Sequence, residues 1–278
     1  MVVEGRGYAS VPGREPVAFE TGDILVFPHG DAYRMESASG VSPEFDREEM
    51  VGFFREMAAG RLPFVVREGG GGDPPARFIC GFLGCDARPF NPLLSHLPRI
   101  LLVKRPDDRT DLLGGLIDLT IAEVRHSRSG GACVRLGLSE LLFVEAIRRH
   151  LEALPGERTG WLAGLRDPVV GRALGLLHGR PQDSWSLEAL AVEAGISRSV
   201  LAERFMTMVG QSPMQYLTHW RMQLAARLLT DTDAKIGAIA FDVGYRSEAA
   251  FSRAFKRVVG VSPAAWRREL GTAAPGRS

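Results

Sequence analysis

The chain lacks several features that would assign it quickly to a class. No apolar run reaches the length needed to span a bilayer, and the opening MVVEGRGYAS has no basic-then-apolar signal pattern. A cytoplasmic protein is therefore expected, with no membrane partner. Cysteine is scarce: Cys80, Cys85 and Cys133 are odd in number and make no disulfide framework. Cys80 and Cys85 lack the two further ligands of a zinc site, so they read as buried strand cysteines or as a redox-sensing pair. His29, His96, His126, His150, His178 and His219 never fall in close metal-ligand spacing. The glycine run 69–72 has no Lys-Ser/Thr after it and is not a phosphate loop. No catalytic residue, metal or cofactor is expected, and an enzyme is not the leading reading.

The composition is that of a folded globular protein, 45% hydrophobic and 24% charged, and 278 residues suffice for two domains. Net charge is only +1, but it divides unevenly. From Pro168 onward there are 14 Lys/Arg against 9 Asp/Glu; the remainder holds 20 against 24. The basic half is the one suited to phosphate contact.

That half contains a repeat. Residues 187–213 read LEALAVEAGISRSVLAERFMTMVGQSP and residues 236–263 read IGAIAFDVGYRSEAAFSRAFKRVVGVSP. Each copy has a short apolar-periodic helix, a glycine, a serine N-cap and a second helix that ends in Gly-x-Ser-Pro. This is helix-turn-helix grammar written twice, the pattern of a DNA-reading device. Ser197 and Ser247 are placed to cap the second helices. Gly195 and Gly244 fall at the tight turns. Leu201 and Phe205 in the first copy match Phe251 and Phe255 in the second as inward residues. The outward stripes are Ser199, Ala202, Glu203 and Met206, and Ala249, Ser252, Arg253 and Lys256. Arg253 suits bidentate pairing with guanine, whereas Lys256 and Arg257 suit phosphates. Glu203 could accept from cytosine or could pair with Arg204 or Arg198. Arg198 is expected at DNA. Between the copies a helix over 214–229 presents Tyr216, Leu217, Trp220, Leu224 and Leu228 as scaffold. It should hold the two heads for successive major grooves about 34 Å apart. Arg221 on it is either buried and paired or in reach of a phosphate.

The front half reads as β-rich. Strands are expected at 17–20, 24–27, 77–84 and 100–103, with a short helix over 47–59 and a loop at 69–75. Two amphipathic helices follow, 108–127 and 139–154, separated by a loop over 127–131. The first carries Leu112, Leu113, Leu116, Leu119, Ile121 and Val124. Such a pair either covers the sheet or joins two copies, and a homodimer with Leu116 and Leu119 at its surface is the favoured expectation.

The segment from Pro168 to about Leu270 resembles the DNA-binding domain of the AraC/XylS family of bacterial transcription regulators. The residues that carry the likeness include Ala191, Gly195, Ser197, Leu201, Phe205, Gly210 and Ser212-Pro213 in the first unit. Tyr216-Leu217, Arg221, Ala225 and Leu228-Leu229 carry it between the units. In the second they include Ile239-Ala240, Val243-Gly244-Tyr245, Ser247, Phe251 to Lys256, Gly260 and Ser262-Pro263. The resemblance implies a seven-helix domain that activates or represses promoters, with RNA polymerase as a further partner. It places base contacts at Ser199, Ala202 and Glu203 and at Ala249, Ser252 and Arg253. With Arg198, Glu248 and Lys256 these form the candidate DNA-binding set. Residues 15–32, with parts of 80–86 and 91–94, resemble cupin-type sensor domains. Where metal-binding cupins place a histidine this chain has Tyr33, and the first cupin motif with its ligands is missing.

The expected fold is therefore α+β. A cupin-like partial β-barrel with two dimerisation helices spans 1–155, a linker 156–167, and an all-α domain with two helix-turn-helix units 168–278. The expected function is a sequence-specific DNA-binding transcription regulator responsive to a small molecule or stress signal. One alternative is a ligand-blind regulator whose front domain only dimerises. Another is a cupin enzyme with a fused DNA-binding tail, which would need bound metal.

Overall fold

The computed structural model describes residues 1–38, 48, 51–52, 55–56, 65–66, 76–81, 88–108, 110–126, 128–154 and 159–271. The loop expected at 69–75 and Cys85 of the suggested cysteine pair lie outside them. The described residues form two compact units. One comprises Met1–Gly84 with Leu97–Ala153; the other comprises Cys85–His96 with Leu154–Ser278.

Among the described residues the first unit holds eight short strands: β1 (Val2–Glu4), β2 (Arg6–Ser10), β3 (Val17–Glu20), β4 (Ile24–Val26), β5 (Arg34–Glu36), β6 (Val65–Val66), β7 (Arg77–Ile79) and β8 (Leu101–Val103). They form sheets in the orders β1-β7-β6, β3-β2-β5 and β4-β8, every pair antiparallel. Alternation in β2 turns Gly7 and Ala9 inward and Arg6 and Tyr8 outward. Val2, Ala9 and Phe19 make the buried centre, with Leu25, Phe27, Met35, Phe78 and Leu102 against it. The Phe19 and Phe78 rings meet edge to face at 5.6 Å. Buried Asp23 is compensated: its carboxylate accepts from the Glu20 amide (2.8 Å) and from Lys104 Nζ (2.8 Å). The strand expected over 77–84 is described only as β7, and residues 48, 51–52 and 55–56 of the expected 47–59 helix are helical.

Helices α2 (Leu112–Arg125) and α3 (Gly131–Ala153) close this unit, after the short α1 (Pro92–His96) that belongs with the other. Asp111 caps α2 by accepting from the Leu113 amide (2.8 Å) and also pairs with Arg149 of α3. The Arg149 guanidinium holds the Asp111 carboxyl below the ordinary carboxylate value. Helix α3 starts eight residues earlier than expected. The loop expected over 127–131 ends where the helix begins, at Gly131, and 132–138 belong to α3. Leu116 overturns its expected place at a dimer surface. It is 6% exposed, in the same buried core as Leu113 and Ile117, while Leu112 and Leu119 are 58% and 59% exposed.

The helical unit contains α4 (Trp161–Arg166), α5 (Pro168–Gly179), α6 (Leu187–Ala194), α7 (Arg198–Val209), α8 (Pro213–Asp231), α9 (Ile236–Asp242), α10 (Glu248–Val259) and α11 (Pro263–Gly271). Among the described residues, 168–271 thus form seven helices. Helix α4 falls inside the stretch expected as linker, and its Trp161 and Leu162 are buried. The Gly-x-Ser-Pro signature works at both sites in the same way. Gly210 and Gly260 end α7 and α10 in the left-handed region, at φ +77° and +93°. Ser212 and Ser262 then cap α8 and α11, with proline as the first helical residue.

Candidate nucleic-acid interface

Each head is a pair of helices joined by a turn: α6–α7 in the first, α9–α10 in the second. Ser197 Oγ accepts from the Val200 amide (3.4 Å) and Ser247 Oγ from the Ala250 amide (3.2 Å). The glycines at the turns take positive φ, +76° at Gly195 and +83° at Gly244. Gly244 has a second reason: a Cβ there would lie 2.7 Å from both Arg221 Nη2 and the Gln182 carbonyl oxygen. The inward residues are where the repeat predicted them. Leu201, Phe205, Phe251 and Phe255 are fully buried. The second head's core gathers Met222, Leu229, Ile239, Val243 and Trp266 around its two phenylalanines.

Helix α8 ties the heads together through polar contacts on otherwise apolar faces. Arg221 is structural: its Nε donates to Pro181 O (2.7 Å) and its Nη2 to Asp183 O (2.8 Å), with the guanidinium over the Tyr245 ring. Burial lowers the Arg221 pKa. Tyr216 is fully buried and accepts from Trp161 Nε1 (2.9 Å). His178 Nε2 lies 2.7 Å from the Tyr216 hydroxyl. Burial pushes the His178 pKa down to about 4, so the imidazole is neutral near pH 7. His178 also stacks on Trp220 at 4.1 Å.

The candidate DNA-binding residues emerge on the outer surface of α7 and α10. Arg198, Ser199, Glu203, Glu248, Ala249, Arg253 and Lys256 are exposed, and Ala202 and Ser252 are half-buried. Their charges are spoken for differently. Arg198 pairs with Glu188 of α6 at 2.6 Å. Hydrogen bonding to its own backbone amide and then to Arg198 lowers the Glu188 pKa. Arg204 points away from the outer stripe and pairs with Asp167, the residue that caps α5 through the Val169 and Val170 amides. The two cations that could have neutralised Glu203 are thus both engaged elsewhere. Arg253 and Lys256 have no ion pair among the described residues. The sequence reading missed the Asp167–Arg204 pair, although Asp167-Pro168 is itself a helix-start signal.

Tyr33, at the position of a cupin metal ligand, stacks on Phe27 at 4.0 Å. Among the described residues no three His, Cys, Asp or Glu side chains gather as a metal site would require, and no helix is long and apolar enough to cross a membrane.

Comparison with known proteins bears on both units. Residues 1–152 match the Cupin family and residues 190–269 match the Helix-turn-helix domain family. An AraC-like transcription regulator of Streptomyces antibioticus is 42% identical over 176 residues, 63% of this chain and 58% of that protein. One from Streptomyces lividans is 40% identical over 204 residues, 73% of this chain and 66% of that protein. The RCS-specific HTH-type transcriptional activator RclR of Escherichia coli is 32% identical over 201 residues, 71% of this chain and 69% of that protein. The chain therefore spans less than two thirds of the length of the two Streptomyces relatives.

Proposed function

The chain belongs to the AraC-like family of transcription regulators, and from that premise we propose that it binds promoter DNA through α7 and α10 and regulates transcription there. The observation that carries this reading is the pair of equivalently capped helices, each with a buried apolar face and an outward stripe. In the second head Arg253 is proposed to read guanine, with Lys256 and Arg257 on phosphates. In the first, Ser199, Ala202 and Glu203 face the groove, Glu203 suiting a cytosine amino group. Arg198 reaches DNA only by leaving Glu188. Glu248, Ala249 and Ser252 complete the set at the start of α10. RNA polymerase is the proposed protein partner, and the protein works in the cytoplasm without catalysis.

The proposed division of the chain is a cupin-type regulatory domain over 1–155 and a DNA-binding domain from 168. The stretch 156–167 connects them and includes α4. The front domain is proposed to form a partial barrel, to sense a small molecule or stress signal and to pair two copies. Support for pairing lies in exposed residues at i, i+3, i+7 and i+10: Leu112, Gly115, Leu119 and Ala122 on α2, and Val134, Gly137, Leu141 and Val144 on α3, where Gly137 is half-buried. Replacing Leu119 and Leu141 by glutamate should give folded monomers by light scattering. A monomeric wild-type protein at micromolar concentration contradicts the pairing.

DNA binding is tested on the full chain with a duplex enriched from random sequence. Affinity should fall steeply with salt as phosphate contacts release counterions. No enrichment over a scrambled duplex at low salt contradicts the reading.

A further inference from the structure

The helical unit contains a segment that its own sequence neighbourhood would not assign to it. Arg88–His96 belongs with the helices, while the described chain on both sides, up to Gly81 and from Leu97, belongs to the first unit. The segment is held by specific contacts. Phe90 meets Tyr216 edge to face at 5.5 Å and His219 at 5.3 Å, and its backbone amide donates to Gln223 Oε1 (2.9 Å). Positions 216, 219 and 223 are i, i+3 and i+7, one continuous stripe of α8. Arg88 lies over the Trp266 ring of α11, 6.0 Å from its centroid. Asn91 then caps α1 through the Leu94 amide (3.0 Å), and His96 at its end faces Trp161 of α4.

These contacts reach the core of each head. Tyr216 meets Phe205 of α7 edge to face at 5.7 Å, and Trp266 meets Phe255 of α10 at 6.1 Å. One short segment therefore touches the aromatic that backs the first recognition helix and the aromatic that backs the second. We propose that Arg88–His96 is a strap through which the state of the first unit controls the rigidity of the two-headed helical unit. The inference rests on the DNA-binding reading for its purpose and on the contacts above for its existence.

The physical argument is one of chain entropy. With the first unit folded, the strap's C-terminal end is held at buried Leu97, and less conformational freedom remains to be lost when Phe90 docks. Loosening the first unit frees that end. Docking then orders more chain for the same contacts, and the strap opens more often. With it open, α8 loses a bracing contact to each head, and local opening of the helical unit becomes cheaper. A ligand that tightens or loosens the first unit acts by the same route.

The test is a double-mutant cycle in the full chain, read by amide hydrogen exchange. Ile117→Ala opens a cavity in the buried core of the first unit, where Ile117 is fully buried. The strap predicts that Ile117→Ala speeds exchange in α4 and in 216–223 of α8 by at least five-fold. In a Phe90→Ala background the same change should add less than two-fold there. Equal effects of Ile117→Ala in both backgrounds, or none on α8 in the wild-type background, overturn the proposal. If circular dichroism shows Phe90→Ala to be unfolded, Arg88→Ala replaces it, since the arginine is exposed, with exchange in α11 as the readout and the same two outcomes. Hydrogen exchange needs no DNA, so the two readings fail separately. Coupling without any DNA binding sinks the proposed function and leaves the strap standing. DNA binding with additive exchange effects does the reverse.

Discussion

The two heads share one scaffold and present two different surfaces. Both place a serine cap, a buried aromatic and a left-handed glycine at matching positions, and both run through Ser-Pro into the next helix. Outward, the second head offers Arg253 and Lys256, which have no ion-pair partner among the described residues. The first offers Ala202, a Glu203 and an Arg198 already bound to Glu188. Folding constrains the inward face of the second helix of each head, and this constraint is the same in both copies. The outward face is free of that constraint, and there the copies differ. Their cores differ as well. In the second the buried polar contact is a side-chain to backbone one, Trp266 Nε1 to Ala226 O, whereas the first is joined by the Trp161–Tyr216–His178 hydrogen-bond chain.

The likeness of the scaffolds breaks if equivalent core truncations behave unequally. Phe205→Ala and Phe255→Ala should each cost about 3–5 kcal/mol in stability, because both remove a fully buried ring. Chemical denaturation checks this, and a cost below about 1 kcal/mol in either head removes the equivalence. The difference between the cores is sharpened by acid. The His178 pKa lies at about 4 in the folded protein against an ordinary 6.5, so below pH 6.5 the unfolded chain binds the extra proton first. Stability is full above about pH 6.5, falls as pH drops toward 4, and levels off below. At about 1.4 kcal/mol per unit the loss approaches about 3 kcal/mol. His178→Phe should flatten that part of the pH–stability curve. An unchanged slope removes the neutral-histidine account.

Smaller effects belong to the outer surfaces. Arg253→Ala should cost about 1–3 kcal/mol at one base pair, and Glu203→Ala less than about 1 kcal/mol at any. Binding isotherms on duplexes with single substitutions measure both. A larger effect from Glu203 would reverse the proposed division of labour.

How legible this was in the sequence depends on the range of the interaction. Caps, turns and the inward stripe are local, and Ser197, Gly195, Phe205 and their partners in the second copy could be placed from spacing alone. Contacts between distant residues could not. Leu116 and Leu119 share an apolar stripe three residues apart, and only the packing of α3 separates the buried one from the exposed one. Arg204 stands beside Glu203, yet it reaches back to Asp167. Phe90 sits among residues that resemble a sensor domain, and nothing local reveals that its ring rests on Tyr216. A glycine also misled: Gly131 was expected in the loop, yet it is the first residue of α3.

The division of labour between the heads is tested most directly by selecting DNA from a random library with the wild-type chain and with Arg253→Ala, at one salt concentration. A motif with two parts one helical turn apart is expected from the wild type. The variant should retain the part read by the first head and lose a guanine from the other. An unchanged motif bound more weakly throughout would make Arg253 a phosphate contact and contradict the account.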